Sequence, residues 1–168
     1  MSVALRRAEP GDVDFLLDLL TDADTGPFLG REGWTRDDVL ADVERSTREP
    51  EEFGWFVFEV DGERAGCVSF RRSSEKSRIA EAGRFAVDPR FRGRGIGVEA
   101  ARAFQRLLLL ELGFHRIELQ VYGFNERAIA HAERSGYVRE GVKRRAYLKH
   151  GAWQDAVFFA LLETDLDG

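Results

Sequence analysis

The most informative segment of the sequence is Val87-Asp88-Pro89-Arg90-Phe91-Arg92-Gly93-Arg94-Gly95-Ile96-Gly97. It joins a predicted strand to the longest predicted helix. Its glycines allow backbone N–H groups to approach a ligand closely, and a helix N-terminus adds about half a positive charge with unpaired donors. Arg90, Arg92 and Arg94 add three full charges around the same turn. The segment therefore predicts a polyanion site that suits a pyrophosphate.

The elements on either side of this turn follow from periodicity and turn signals. Alternation predicts strands at 3–7, 55–60, 64–72, 79–87, 116–122, 137–148 and 152–162. Helical spacing predicts one helix capped by Asp12, a second beginning at the Thr35/Asp38 capping box, and two more over 95–112 and 125–135. The element order predicts an α+β fold.

Composition limits the classes of protein that the chain can represent. The 168 residues contain no repeat or linker, which predicts a single domain over 1–168. The net charge of −5 argues against nucleic acid as the main partner. Cys67 is the only cysteine, which excludes disulfides and thiolate-rich metal sites. With neither a signal peptide nor an apolar run of membrane-spanning length in the sequence, we expect a cytoplasmic protein without membrane association.

Two other phosphate-binding motifs fit the turn poorly. Gly95-Ile96-Gly97-Val98-Glu99-Ala100 matches the G-x-G-x-x-A dinucleotide fingerprint. That fingerprint directly follows a strand of a parallel βαβ unit, whereas seven residues separate Val87 from Gly95 and the preceding strands read as antiparallel. A P-loop is excluded because no Gly-Lys-Ser/Thr follows. A plain tight turn with solvated arginines is the remaining alternative to a ligand site.

The turn also resembles the signature of a known family. Arg92-Gly93-Arg94-Gly95-Ile96-Gly97 matches the Arg/Gln-x-x-Gly-x-Gly/Ala pattern of the GNAT superfamily of N-acetyltransferases, and the likeness continues through 85–89, 125–129 and 136–137. Segments 140–147 and 151–155 are similar to the branch of ribosomal-protein N-terminal and spermidine acetyltransferases. The resemblance implies a single GNAT-like domain with a mixed, mostly antiparallel seven-stranded sheet flanked by about four helices.

The same resemblance implies acetyl-CoA as co-substrate and no metal. In the family, backbone amides of the turn hold the pyrophosphate, which corresponds here to Arg92, Gly93, Arg94, Gly95, Ile96 and Gly97. The pantetheine arm is expected along Phe85, Ala86 and Val87, where a β-bulge splays the oxyanion donor at Phe85 or Val87 from its neighbour. Asn125 is expected among the cofactor-binding residues.

Glu81 matches the position at which some family members carry a general-base glutamate. An attacking alkylamine must be neutral, although its usual pKa is near 10, so a proton acceptor is needed. Before any bulge, strand alternation places Glu81 on one face with Gly83, Phe85 and Val87. A partly solvated strand glutamate without a catalytic role is the alternative interpretation.

No residue of the sequence is an obvious general acid. Many family members place a tyrosine seven residues after the helix asparagine, where this chain has Ala132. Helical geometry puts Asn125 and Ala132 on one face, which predicts a vacancy at the CoA sulfur. His131 is expected at a boundary rather than as the acid. The alternatives are Tyr122, Tyr147 and departure of the CoA thiolate without an acid.

We therefore expect an acetyl-CoA-dependent N-acetyltransferase acting by direct attack of a primary amine, either a protein or peptide N-terminus or a small molecule. The negative net charge mildly favours a cationic acceptor. A homodimer is one expected assembly. Phe28, Trp34, Tyr147 and Trp153 either shape the acceptor groove or anchor loops. The alternatives are a non-catalytic acyl-CoA-binding sensor domain and a dinucleotide-binding oxidoreductase.

Overall fold

A computed structural model describes residues 2–166, which build one seven-stranded sheet in the order β1-β2-β3-β4-β5-β7-β6. Only the β4–β5 pair is parallel in this sheet. The strands are β1 Val3–Arg7, β2 Phe53–Val60, β3 Glu63–Ser74, β4 Ile79–Val87, β5 Arg116–Tyr122, β6 Val138–Lys149 and β7 Ala152–Leu162. The helices are α1 Val13–Thr21, α2 Arg36–Arg48, α3 Ile96–Arg106 and α4 Glu126–Arg134. The predicted α+β class and sheet are confirmed, with strand ends within two residues of those expected.

Strand β2 is almost wholly buried because helices cover both faces of the sheet. Trp55 and Val57 point into the layer formed with α1 and α2, whereas Phe56 and Phe58 point into the layers formed with α3. The smaller fourth cluster lies under α4 and includes Val121. Burial of each large apolar side chain contributes roughly 1.5–3 kcal/mol, so alternation in β2 stabilises both layers at once.

One predicted helix start is confirmed and another is wrong in detail. Thr35 accepts from the backbone N–H of Asp38 at 3.2 Å, and the Asp38 carboxylate accepts from the Thr35 N–H at 2.9 Å. Asp12 precedes α1 but does not cap it. Its buried carboxylate instead accepts from Arg6 at 2.6 and 2.9 Å and from Arg64 at 3.3 Å. Two guanidinium partners compensate the burial of this charge more fully than one helix N–H.

The longest predicted helix is divided. α3 ends at Arg106, and a π-helical turn follows over Leu107–Glu111. The wider turn buries both Leu108 and Leu109 and leaves Leu110 half exposed. Packing of two consecutive leucines against the sheet therefore replaces the regular α-helical spacing there. No helix within 2–166 is both long and apolar enough to cross a membrane.

Candidate active site

A gap opens between the parallel strands β4 and β5. They pair only at Ile79–Arg116, Ala80–Ile117 and Glu81–Glu118. Beyond Glu81 the two strands separate, although β4 still pairs with β3 and β5 still pairs with β7. The facing backbone edges consequently lack strand partners, so an extended ligand with amide groups fits between them.

A β-bulge interrupts β4 beside this gap. Cys67 of β3 pairs with Ala86, but Ser69 pairs with Gly83, so β4 contains one extra residue. Arg84 takes the positive φ of 49° that accommodates it. A bulge is therefore present in β4, at Arg84 rather than at the predicted Phe85 or Val87.

The bulge also changes which side chains share a face. Glu81 lies opposite Arg71, which alternation places on the α1/α2 side of β3 with Cys67. Phe85 and Val87 pack in the cluster on the α3 side. The expected common face of Glu81, Phe85 and Val87 is wrong for this reason, because the extra residue breaks the two-residue period.

The glycine turn presents free donors at the N-terminus of α3. Gly93 and Gly95 adopt φ values of 79° and 74°, and a Cβ at either position would meet nothing within 4 Å. Among residues 2–166, no hydrogen-bond acceptor is found for the backbone N–H groups from Gly93 to Gly97. Open space, free N–H groups and a helix N-terminus together fit a pyrophosphate.

Gly97 permits close packing at the same turn. A Cβ there would lie 3.3 Å from Cε1 of His131, so α3 and α4 approach closely at this point. A larger residue would separate the two helices that meet below the turn.

Arg92 is tied to the loop after α1. Its Nε donates to the Val87 carbonyl at 3.1 Å, and Nη1 donates to Asp24 at 3.2 Å. Nη2 donates to Asp22 at 3.1 Å and to Thr25 at 3.2 Å. The guanidinium charge is therefore offset by two carboxylates, and Arg92 positions the turn rather than adding a free charge to it.

The other two arginines of the turn also differ from each other. Arg90 is exposed and pairs with Asp88 at 3.2 Å. Arg94 is exposed, and its guanidinium carbon lies 5.6 Å from the centroid of the Phe91 ring. No carboxylate in the described part of the chain pairs with it. The expectation of three full charges is thus wrong, since Arg94 alone keeps an uncompensated one.

Two carboxylates stand where the gap begins. Glu81 pairs with Arg71 at 3.0 Å and keeps 38% of its side chain exposed. Its register partner Glu118 accepts from Arg116 at 2.8 Å. Sequence reasoning missed Glu118 because its position opposite Glu81 depends on the parallel register of two strands far apart in the chain.

Ala132 does not face the gap. It is 1% exposed and packs with Val121, Val157 and Phe159. The α4 helix therefore turns this position toward the sheet, and the vacancy at the CoA sulfur stays a prediction.

His131 occupies the gap side of α4 instead. Its ring centroid lies 4.6 Å from that of Phe85. Burial, with a smaller effect from Arg134, lowers the His131 pKa to about 4, so the imidazole is neutral near pH 7. The sequence offered no signal for this contact beyond the helical position of the residue.

Asn125 caps α4. Its Oδ1 accepts from the backbone N–H of Ala128 at 3.2 Å. The capping bond leaves the side-chain amide nitrogen as the group that would contact a cofactor.

Aromatic side chains line the far side of the gap. Tyr122 stacks on Phe124 with 5.2 Å between ring centroids, and Phe28 lies 5.9 Å from Phe124. The Tyr147 hydroxyl donates to Gln120 at 2.7 Å. Phe28 and Tyr147 thus belong to this wall. Trp34 is instead a buried loop anchor beside Trp55, and Trp153 is exposed on the β6–β7 hairpin.

Cys67 is unsuited to carrying an acyl group. The residue is fully buried, and its thiol donates to the Arg84 carbonyl at 3.3 Å. Burial raises the pKa of the thiol to about 12. Because the thiolate is the nucleophilic form, this side chain acts as core.

Comparisons with known proteins agree on one family. The model of the Acetyltransferase (GNAT) family matches residues 13–137. YdaF of Bacillus subtilis (strain 168), provisionally named a ribosomal N-acetyltransferase, is 30% identical over 108 residues, which cover 64% of this chain and 58% of YdaF. Spermidine N(1)-acetyltransferase of Escherichia coli (strain K12) is 25% identical over 162 residues, which cover 96% of this chain and 87% of the relative.

A solved structure has the same fold. It is spermidine N-acetyltransferase from Vibrio cholerae in complex with CoA and spermine, with a TM-score of 0.89 and 21% sequence identity. The alignment covers 99% of both chains. The fold is therefore shared with an enzyme that was crystallised with CoA.

Proposed function

This chain belongs to the GNAT family, whose members are acetyl-CoA-dependent N-acetyltransferases, and we propose that the β4–β5 gap is where a primary amine receives the acetyl group. The observation that carries the proposal is the open turn Gly93–Gly97 with its free N–H groups at the head of the gap. A pyrophosphate held there leaves the rest of the cofactor to extend between the separated strands.

We assign the cofactor contacts to backbone groups first. The N–H groups from Gly93 to Gly97 hold the pyrophosphate, and Arg94 adds its uncompensated charge. The unpaired edge of β4 from Phe85 to Val87 holds the pantetheine arm. Arg92 supports these contacts indirectly, through its bonds to the Val87 carbonyl and to the loop after α1.

Acetyl-CoA supplies an acetyl thioester for the reaction. The amine nitrogen forms a bond to the carbonyl carbon, the carbon–sulfur bond breaks, and the leaving thiolate takes up a proton as the amine loses one. Glu81 receives the amine proton directly or through water, since its carboxylate lies at the beginning of the gap. An N–H at the β4 bulge stabilises the oxyanion.

The amine enters from the α1/α2 side of the sheet. Glu81 lies on that side, and the hydroxyls of Tyr122 and Tyr147 border it. Because the Tyr147 hydroxyl already donates to Gln120, Tyr122 is the better donor for the departing sulfur. A sensor without catalysis is not favoured, since the family model and the relatives that the chain matches are those of N-acetyltransferases.

We propose a homodimer as the assembly. The edge strand β6 is exposed along most of its length, and the β6–β7 hairpin exposes Val138, Val142, Leu148 and Trp153 by 46–63%. A second copy covering this face buries apolar surface and pairs the open edge. Light scattering tests the assembly, and Leu148→Asp should shift a dimer toward monomer.

We also propose a cytoplasmic location. The single thiol, Cys67, is free and buried, as is usual for proteins of a reducing compartment. Cell fractionation with an antibody against the chain tests this location.

Free-thiol release from acetyl-CoA tests the function directly. The panel contains polyamines, aminoglycosides, amino acids and peptides with free N-termini. Release that depends on one class of amine supports the proposal. If CoA binds in calorimetry while no amine in the panel increases release, the proposed transfer is contradicted.

A further inference from the structure

A cavity of about 220 Å³ lies beside the β4 bulge on the α1/α2 side of the sheet. It is lined by Leu20, Leu29, Gly30, Arg31, Trp34 and Arg84. A Cβ placed on Gly30 would lie 3.9 Å from the Tyr122 hydroxyl, which stands on β5 across the gap. The cavity therefore adjoins the side from which the amine enters.

Arg84 is held at the bulge by aromatic rings. Its guanidinium carbon lies 4.8, 5.1 and 4.6 Å from ring centroids of Trp34, Phe53 and Trp55. Nη2 forms an ion pair with the carboxylate of Asp42 at 2.8 Å. These contacts fix the direction of a largely buried cation immediately beside the proposed reaction centre.

Two buried donors at this cavity lack partners. Nη1 of Arg84 and Nε1 of Trp34 are inaccessible and have no hydrogen-bond acceptor in the part of the chain that the structure describes. Buried N–H groups without acceptors are costly and rare. Because both atoms are enclosed, an acceptor in the cavity would reach them only after a small movement of the Arg84 or Trp34 side chain, and the cost of leaving them unpaired favours such a movement.

The polar side chains lining the cavity are donors only. Arg31, Trp34 and Arg84 carry N–H groups and no acceptor. Asp38 pairs with Arg31 at 3.0 Å and Asp42 pairs with Arg84, yet each guanidinium retains further donors. The complementary ligand group is a carboxylate, which is acceptor-only and matches the arginine fork. A polyamine offers only donors and positive charge and does not match.

We propose that this cavity binds a carboxylate of the acceptor, so that the enzyme prefers amines that also carry a carboxylate, such as amino acids, over polyamines. The inference rests on the proposed function, because the acceptor amine must reach the β4–β5 gap. It also replaces the expectation of a cationic acceptor, since net charge does not describe the charges lining this cavity.

Matched amine pairs test the preference. Lysine is compared with cadaverine, and straight-chain amino acids with the corresponding alkylamines, so that each pair differs only by the carboxylate. We expect kcat/KM to favour the carboxylated member by about tenfold or more. Arg84→Gln and, on the exposed loop, Arg31→Gln should reduce this ratio chiefly through KM. Arg36→Gln, which changes an exposed arginine outside the cavity, should leave it unchanged.

A binding measurement separates the cavity from catalysis. In a Trp153→Phe background the remaining tryptophans, Trp34 and Trp55, both flank Arg84. Lysine should change their fluorescence, cadaverine should not, and Arg84→Gln should abolish the change. If Arg84→Gln does not fold, Arg31→Gln supplies the same comparison.

The outcomes distinguish the two proposals. Thiol release with equal or greater efficiency for the amines without a carboxylate overturns the carboxylate preference and leaves the acetyl transfer standing. Carboxylate-dependent fluorescence without thiol release supports the cavity and contradicts the proposed function. Fluorescence that responds equally to lysine and cadaverine overturns the inference.

Discussion

Replacing Gly95 with tryptophan should block the proposed pyrophosphate site. Gly95 is the N-cap of α3, and a Cβ at this position meets nothing within 4 Å. The indole would therefore fill the open space in front of the free N–H groups rather than displace the core. The left-handed conformation at φ 74° adds a backbone cost of about 1–2 kcal/mol for any residue with a Cβ.

The expected loss of affinity follows from the donors that become inaccessible. A hydrogen bond to a charged group contributes about 1.5–3 kcal/mol. Loss of two of the N–H contacts between Gly93 and Gly97 should therefore weaken CoA binding by about 3–6 kcal/mol, which is at least about 100-fold.

Titration calorimetry with CoA measures this loss, and Gly113→Trp is the matched control. Gly113 has a similar φ of 78° and equally open surroundings, but it lies beyond the C-terminal end of α3. Both variants should lose similar stability, whereas only Gly95→Trp should lose CoA binding. Equal CoA affinity in the two variants would refute the assignment of the turn.

Three further changes test other parts of the site. Glu81→Gln should lower kcat and alter its pH profile; an unaltered profile would remove Glu81 as the base. Arg92→Ala should weaken CoA binding while preserving most of its salt dependence, because Asp22 and Asp24 already offset the charge; a large fall in that dependence, measured by calorimetry at several salt concentrations, would place Arg92 on the phosphates. Folding lowers the His131 pKa from 6.5 to about 4. Between these two pH values the unfolded chain binds a proton that the folded chain does not bind. The free energy of unfolding should therefore fall by about 3 kcal/mol as the pH drops through this range. Urea denaturation of His131→Leu should lose this part of the pH dependence, and an unchanged slope would contradict the burial of a neutral imidazole.

Local patterns predicted most of the fold because each element has its own signal. The alternation in β2, the capping box at Thr35 and the glycines of the turn depend on residues close in sequence. The local sequence pattern does not predict the π-helical turn at Leu107–Glu111. Packing of both Leu108 and Leu109 against the sheet favours this wider turn over a regular α-helix. Tertiary contacts decide such a departure, and one sequence does not contain them.

The turn and the strand that form the candidate site were both indicated by the sequence, whereas the charges around them were not. The sequence alone predicts a free charge at Arg92, because its partners Asp22 and Asp24 lie 70 and 68 positions earlier in the chain. A bulge was predicted at Phe85 or Val87 and lies at Arg84, and its reversal of the face of Phe85 relative to Glu81 required the register with β3. The donors of Arg84 and Trp34 became visible only once α1, α2 and β4 were assembled around one cavity.

Backbone amide NMR during titration with CoA tests the central claim most directly. If the turn holds the pyrophosphate, the N–H signals from Gly93 to Gly97 should shift on adding CoA and should not shift with pantetheine, which lacks the pyrophosphate. The Gly113 signal serves as the internal reference. Unmoved signals between Gly93 and Gly97 in a sample that binds CoA would contradict the account.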